Sequence, residues 1–132
     1  MNPASVQYET AILDQVLCES RLTITAESVA RFRRLMGYAG ATADEALAPS
    51  SMGLTYGLRL GWEFGVFPAG VIRMGDDDVF GVPARAGDTL LTRMRIVEKF
   101  ERKGRRFMKY EMTTENERGE LVCSVAFAAI VP

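Results

Sequence analysis

The chain has 132 residues, of which 48% are apolar and 25% are charged, the balance of a globular domain long enough to bury its own core. Sixteen Lys and Arg against seventeen Asp and Glu leave a net charge of -1, which excludes a general electrostatic attraction to nucleic acid or to an anionic membrane. The sequence contains no histidine, which excludes a Ser-His-Asp site, a Cys-His site and a His-ligated zinc within this chain. The two cysteines, Cys18 and Cys123, are far apart in sequence and predict neither a zinc site nor a disulfide framework.

No segment has the character of a targeting or membrane sequence. The first ten residues lack the basic start and apolar centre of a signal peptide. The longest apolar stretch, residues 52–71, contains Arg59 and Glu63, so we expect no membrane span. We therefore expect one cytoplasmic domain over residues 1–132, with no cofactor, no metal and no nucleic-acid or membrane partner.

A strand and a helix are predicted at the start of the chain. Residues 15–23 read as a strand, and Thr25 is a natural N-cap for the helix that follows. Ser28 stands where a capping box has Glu or Gln, so we expect an incomplete box. Gly37 is the expected residue after the helix end. The predicted apolar face of this helix consists of Val29, Phe32, Leu35 and Met36.

A loop over residues 38–49, with a short helical turn at 44–47, leads to a second helix that Ser50 or Ser51 would cap. This helix is apolar nearly all round, which predicts that it is buried. Glycine recurs at every fourth position, which predicts a stripe where another backbone approaches closely. The stripe consists of Gly53, Gly57, Gly61 and Gly65.

From residue 69 the apolar period becomes two, which predicts strands at about 71–80, 90–100, 107–115 and 121–131. In the second of these, Phe100 falls on the same face as Leu90 and Ile96. Turns at 103–104 and 116–119 predict an antiparallel meander, and the whole is an α+β fold with the sheet wrapped around the buried helix. The acidic residues 76–78 lack the spacing of a calcium loop and are interpreted as a solvated bend.

Four segments resemble one family when they are taken in order. They are LTITAESVARFRRLMGYAG at residues 22–40, APSSMG at 48–53, VPARAGDTL at 82–90 and ENERGELVCSVAFAAIV at 115–131. Their order resembles the hot-dog fold, and the sequence is similar to the MaoC-like dehydratases, the (R)-specific enoyl-thioester hydratases. The resemblance implies a hot-dog domain, an antiparallel sheet around a long central helix, that acts on acyl thioesters.

The resemblance also implies that a catalytic pair is missing. In active members the glycine that ends the first helix begins a pattern close to GDxNPxH, whose Asp and His activate water. Here Tyr38 stands at the Asp position and Ala43 near the His position, and neither serves as a general base. The chain thus resembles the non-catalytic half of this family, which is inactive alone and pairs with a histidine-bearing homologue. Such halves are the N-terminal repeat of a two-repeat enzyme or the partner subunit of a heteromeric dehydratase.

The start of the central helix is the best candidate binding site. Its free N–H groups and dipole suit a thioester carbonyl, although a serine there could simply be a cap. Aromatic residues of the helix could line an acyl pocket or could simply be core. Asp88, in the GDTL segment, is interpreted as a turn residue. The candidate substrate-binding residues are Ser50, Ser51, Met52, Gly53, Tyr56 and Trp62.

Two further hypotheses remain open. Glu63 on the central helix could serve a hot-dog thioesterase, which needs a carboxylate and no histidine. Alternatively, the chain could be a thioester-binding module with no reaction. A run of basic residues could face the phosphates of coenzyme A or an acyl carrier protein, or could be a solvated sheet edge. The run consists of Arg93, Arg95, Lys99, Arg102, Lys103, Arg105, Arg106 and Lys109. The expected assembly is a homodimer or a heterodimer.

Overall fold

The computed structural model describes residues 5–38 and 46–132. The elements, in chain order, are β1 (Val16–Thr23), α1 (Ala26–Leu35), a 3₁₀ turn (Ser50–Met52), α2 (Gly53–Glu63), β2 (Ile72–Phe80), β3 (Thr89–Arg102), β4 (Arg105–Glu115) and β5 (Leu121–Val131).

The described strands form one antiparallel sheet of five strands in the order β1-β3-β4-β5-β2. Strands β3, β4 and β5 follow one another in the chain and in space, as the predicted meander requires. Lys103 and Gly104 both have positive φ, 51° and 73°, and this backbone twist suits a tight hairpin turn. Strands β1 and β2 are the two edges. The α+β architecture predicted from the sequence is confirmed.

Strand β3 changes face partway along its length. Leu90, Met94 and Ile96 are buried against the helix, as their alternation predicts. A bulge lies between Ile96 and Glu98, and beyond it Phe100 pairs with Phe107. Phe107 lies on the face opposite to its buried neighbour Met108. The prediction that Phe100 shares a face with Ile96 is therefore wrong, because the extra residue of the bulge reverses the alternation.

Helix α2 packs on the inner face of the sheet, and one of its sides is open. Tyr56 and Leu60 are buried, but Trp62 is 72% exposed. The helix is therefore not buried all round, because the sheet covers one face of it. A Cβ added at Gly57 would lie 2.7 Å from Cγ of Met112, and one at Gly61 would meet the ring of Phe67. The glycine stripe admits side chains, not the backbone that we expected.

Helix α1 has a complete capping box. The backbone N–H of Ser28 donates to Oγ1 of Thr25 over 3.0 Å, and the backbone N–H of Thr25 donates to Oγ of Ser28 over 3.2 Å. The expectation of an incomplete box is wrong, because a serine hydroxyl reaches the N-cap amide as a Glu carboxylate would. Gly37 follows the helix end with φ 71°, as predicted. On the predicted apolar face Val29 is buried, whereas Leu35 is exposed.

The acidic run lies within edge strand β2, so the predicted bend is wrong. Asp76, Asp77 and Asp78 pair with β5, and the strand is exposed along its whole length. Arg73 forms an ion pair with Asp76, and Nζ of Lys109 lies 3.5 Å from a carboxylate oxygen of Asp77. Within residues 5–38 and 46–132, no three His, Cys, Asp or Glu side chains are placed to hold one metal ion. No helix of this described part is long and apolar enough to cross a membrane.

Candidate functional site at the start of the central helix

A cleft of about 250 Å³ opens where helix α2 begins, and we call it the helix-start cleft. One wall comes from the chain entering the helix and the other from the segment that follows β2, with the start of β5 beneath. The lining residues are Ala48, Pro49, Ser50, Gly53, Tyr56, Phe80, Gly81, Val82, Pro83, Ala84, Val122 and Cys123.

Backbone hydrogen bonds hold the two walls together. The N–H of Ala48 donates to the carbonyl of Ala84, and the N–H of Ala86 donates to the carbonyl of Ala46, both over 2.8 Å. The guanidinium of Arg33 on α1 donates to the carbonyl of Leu47 over 2.7 Å. The chain before the helix is therefore fixed to the segment between β2 and β3 and to α1. Half of the short helical turn predicted at 44–47 falls outside the described residues, and Leu47 forms an isolated bridge with Arg85.

Neither serine caps the central helix. The 3₁₀ turn continues directly into α2, and the N–H of Met52 donates to the carbonyl of Pro49 over 3.0 Å. The N–H groups of Ser50 and Ser51 precede this first bond, so they are directed out of the helix end. The hydroxyl of Ser51 lies 2.6 Å from the hydroxyl of Tyr38. Tyr38 thus reaches the helix start across a gap of 13 positions in sequence.

The cleft contains two titratable groups that burial keeps protonated. Burial raises the pKa of Tyr56 to about 12, with smaller contributions from Cys123 and Asp88. Burial also raises the pKa of the Cys123 thiol to about 11, with Asp78 adding to the shift. The thiolate is the nucleophilic form of cysteine, so Cys123 is inert near neutral pH. Near neutral pH these two side chains therefore supply no base to the cleft.

The structure brings together part of the predicted binding set. Ser50, Gly53 and Tyr56 line the helix-start cleft. Met52 is buried beneath the helix start, and Ser51 bonds to Tyr38 instead. Trp62 lies at the other end of α2, where a second cavity of about 200 Å³ shares no lining residue with the cleft. The second cavity is lined by Leu58, Trp62, Phe67, Val71, Arg73 and Phe127.

The other candidate side chains have local partners. Glu63 is exposed and accepts a hydrogen bond from Arg59 one turn earlier, 2.7 Å away, and it lines neither of these two cavities. The carboxylate of Asp88 accepts from the N–H of Arg85 over 2.9 Å, which is a turn arrangement as predicted. Ala43, the other position singled out with Tyr38, is outside the described residues.

Sequence reasoning missed the second wall of the cleft, formed by Phe80, Gly81 and Pro83. The N–H of Gly81 donates to the carbonyl of Val122 over 3.0 Å, and a Cβ at Gly81 would collide with the carbonyl of Leu121. The chain therefore passes so close to β5 that this position needs glycine. The combination of glycine and proline directly after a strand was the available signal.

No family model and no curated protein sequence matches this chain. Several solved structures are similar to it in fold. The (R)-hydratase PhaJ1 from Pseudomonas aeruginosa is 17% identical, with 97% of this chain and 86% of that chain covered and a TM-score of 0.77. A MaoC-like dehydratase from Rhodospirillum rubrum is 20% identical, with 93% of each chain covered and a TM-score of 0.77.

The HadBC (3R-hydroxyacyl-ACP dehydratase) complex from Mycobacterium tuberculosis is also similar in structure. The identity is 22%, with 85% of this chain and 90% of that chain covered and a TM-score of 0.67. These likenesses extend over most of the chain, whose described residues place α2 across a five-stranded antiparallel sheet. The chain therefore has the hot-dog fold, in the form that MaoC-like dehydratases and (R)-hydratases have.

Proposed function

We propose that this chain is a MaoC-like supporting subunit of the cytoplasm that binds an acyl thioester and lacks the Asp and His that would make it active alone. The observation that carries the proposal is the helix-start cleft on a hot-dog fold, with Tyr38 bonded to Ser51 at its helix end. Outward N–H groups and the positive end of the α2 dipole favour a polarised thioester carbonyl there. No histidine exists in the chain to take a proton from water.

A partner chain is part of the proposal. Strand β2 leaves one edge of the sheet unpaired within the described residues, and Ile72, Met74 and Val79 are more than half exposed on it. Such an edge favours pairing with another strand. Phe80 lies on the same edge and lines the cleft, so a partner seated on β2 would extend the cleft wall. The cleft volume of about 250 Å³ is below that of most ligand pockets, which supports completion by a second chain.

Binding is the first test. Crotonyl-CoA titrated into the purified chain should give a saturable signal in calorimetry. Ser50→Trp should fill the cleft and weaken this binding at least about tenfold, roughly 1.4 kcal/mol. Thr55→Trp is the matched control, because Thr55 is exposed on the same helix and lines neither the cleft nor the second cavity. Equal binding by all three proteins would refute the assignment of the cleft.

Turnover is the second test. The purified chain should not hydrate crotonyl-CoA, as followed by the loss of enoyl-thioester absorbance. Co-expression with a homologue that carries the Asp and His pair should give a complex that does. Turnover by the chain alone would contradict the role of supporting subunit. Release of free thiol that is abolished by Glu63→Gln would point to thioester hydrolysis instead.

A further inference from the structure

A recess of about 570 Å³ lies on the outer face of the sheet, the face away from α2, beside the β3–β4 turn. We call it the hairpin recess. Its apolar floor and basic rim come from the end of β3, the start of β4, and the adjoining parts of β5 and β2. The lining residues are Met74, Phe100, Arg102, Lys103, Arg105, Phe107, Ala128 and Ile130.

The floor is built by the face change in β3. The bulge after Ile96 turns Phe100 outward, where its ring stacks on Phe107 with centroids 4.9 Å apart and planes 5° apart. Ile130 pairs with Phe107 from the neighbouring strand, and Met74 remains 56% exposed at the edge. Phe100, Phe107 and Ile130 are half-buried and Met74 is exposed, so this apolar floor remains partly in contact with water, which is unfavourable.

The rim consists of three cations of the basic run, Arg102, Lys103 and Arg105. Arg93 and Arg106 form ion pairs with glutamates, and Lys109 lies within ion-pair distance of Asp77. Lys99 turns to the other face and donates to the carbonyls of Tyr8 and Ala11, each over 3.1 Å. Within the described part of the chain, no ion pair with a carboxylate is found for Arg102, Lys103 and Arg105.

Arg102 and Arg105 also oppose each other directly across the hairpin. Like charges in directly opposed positions destabilise a strand pair. The tight turn through Lys103 and Gly104 prevents the two strands from separating at this point. An anionic group placed between the two arginines would relieve this repulsion.

We propose that the hairpin recess binds an acidic, amphipathic helix of another protein. A stripe of apolar side chains on such a helix would cover the Phe100–Phe107 pair, and flanking carboxylates would reach the three cations. A second copy of this chain is disfavoured, because a two-fold contact would bring the same three cations together. A lipid surface is disfavoured because the aromatic rings line a recess instead of projecting from it. The inference is independent of the proposed thioester binding.

A peptide titration tests the proposal on the full chain. The probe is a short fluorescein-labelled helical peptide with Leu on one face and Glu on the other, and its control carries Lys in place of Glu. We expect the Glu peptide to bind with added salt weakening it, and the Lys peptide not to bind. Amide shifts in NMR spectra should be confined to residues 100–107, 128–130 and the neighbouring part of β2.

Charge reversal provides the decisive comparison. Arg102→Glu combined with Arg105→Glu should weaken binding of the Glu peptide at least about tenfold, because two of the three rim charges change sign. Arg31→Glu combined with Arg34→Glu is the matched control, since it makes the same charge change on exposed positions of α1. Equal losses in the two double variants would overturn the proposal, as would binding to phosphatidylglycerol vesicles but not to the Glu peptide.

Discussion

Replacing Gly57 with alanine tests how closely helix α2 packs on the sheet. The new Cβ would lie 2.7 Å from Cγ of Met112 and closer still to its Cβ, whereas ordinary contacts begin at 3.4 Å. The Cβ of Met112 is attached to the backbone of β4, so rotation of the side chain cannot remove the collision. The helix must therefore move away from the sheet by most of 1 Å, about the difference between the strained contact and an ordinary one.

The expected change in the free energy of unfolding is the difference between two effects. Overpacking of a dense core costs about 1–3 kcal/mol, and the higher helix propensity of alanine returns about 1 kcal/mol. Because the collision involves an anchored atom, we expect a net loss of about 1–2 kcal/mol in the free energy of unfolding. For a chain of this size that loss lowers Tm by about 3–8 °C.

Thermal and urea unfolding monitored by circular dichroism measure this change. Gly75→Ala is the control, because a Cβ at Gly75 would meet nothing within 4 Å. The control should remain within about 0.5 kcal/mol of the parent protein. If Gly57→Ala were as stable as Gly75→Ala, the close approach of helix and sheet described here would be incorrect.

Removal of two buried hydroxyls should have opposite consequences. Thr92→Val breaks a buried hydrogen bond of 2.8 Å to Thr114, which should lower the free energy of unfolding by about 1–3 kcal/mol. Tyr110→Phe should leave the free energy of unfolding unchanged or raise it, because the Tyr110 hydroxyl has no partner among the described residues. Urea unfolding of both variants measures the difference, and equal destabilisation would contradict it. Burial raises the pKa of Cys18 and of Cys123 from about 9 to about 11 in the folded chain. The contribution of the two neutral thiols to the stability of the folded chain is therefore complete below about pH 9 and is lost as the pH rises from about 9 to 11. Unfolding under reducing conditions across this pH range measures the loss, and a flat profile would show that the thiols are not buried.

The order and type of the elements follow from local patterns in the sequence. In β4 and in the first part of β3, one side chain in two meets the core, so the apolar residues Met108, Tyr110 and Met112 reveal the strand without knowledge of its neighbours. The left-handed positions at Gly37 and Gly104 are equally local, because they depend on backbone freedom. The acidic run of β2 does not indicate a strand from sequence, because the polar residues of this exposed edge show no apolar alternation.

The candidate site was only half predictable for a physical reason. Ser50 and Tyr56 were identified because they belong to one helix start, whereas Phe80 and Gly81 reach the same cleft through strand pairing over long separations. Tyr38 was identified through a family resemblance, and its bond to Ser51 is a contact that no spacing rule encodes.

The sequence by itself determined which residues can act as acids, bases and cations, since the absence of histidine and the run of arginines are facts of composition. Tertiary structure alone decided where those residues face. A single bulge after Ile96 places Lys99 on the opposite face from Arg93 and turns Phe100 to the outside, because one extra residue in a strand with a period of two reverses every side chain beyond it.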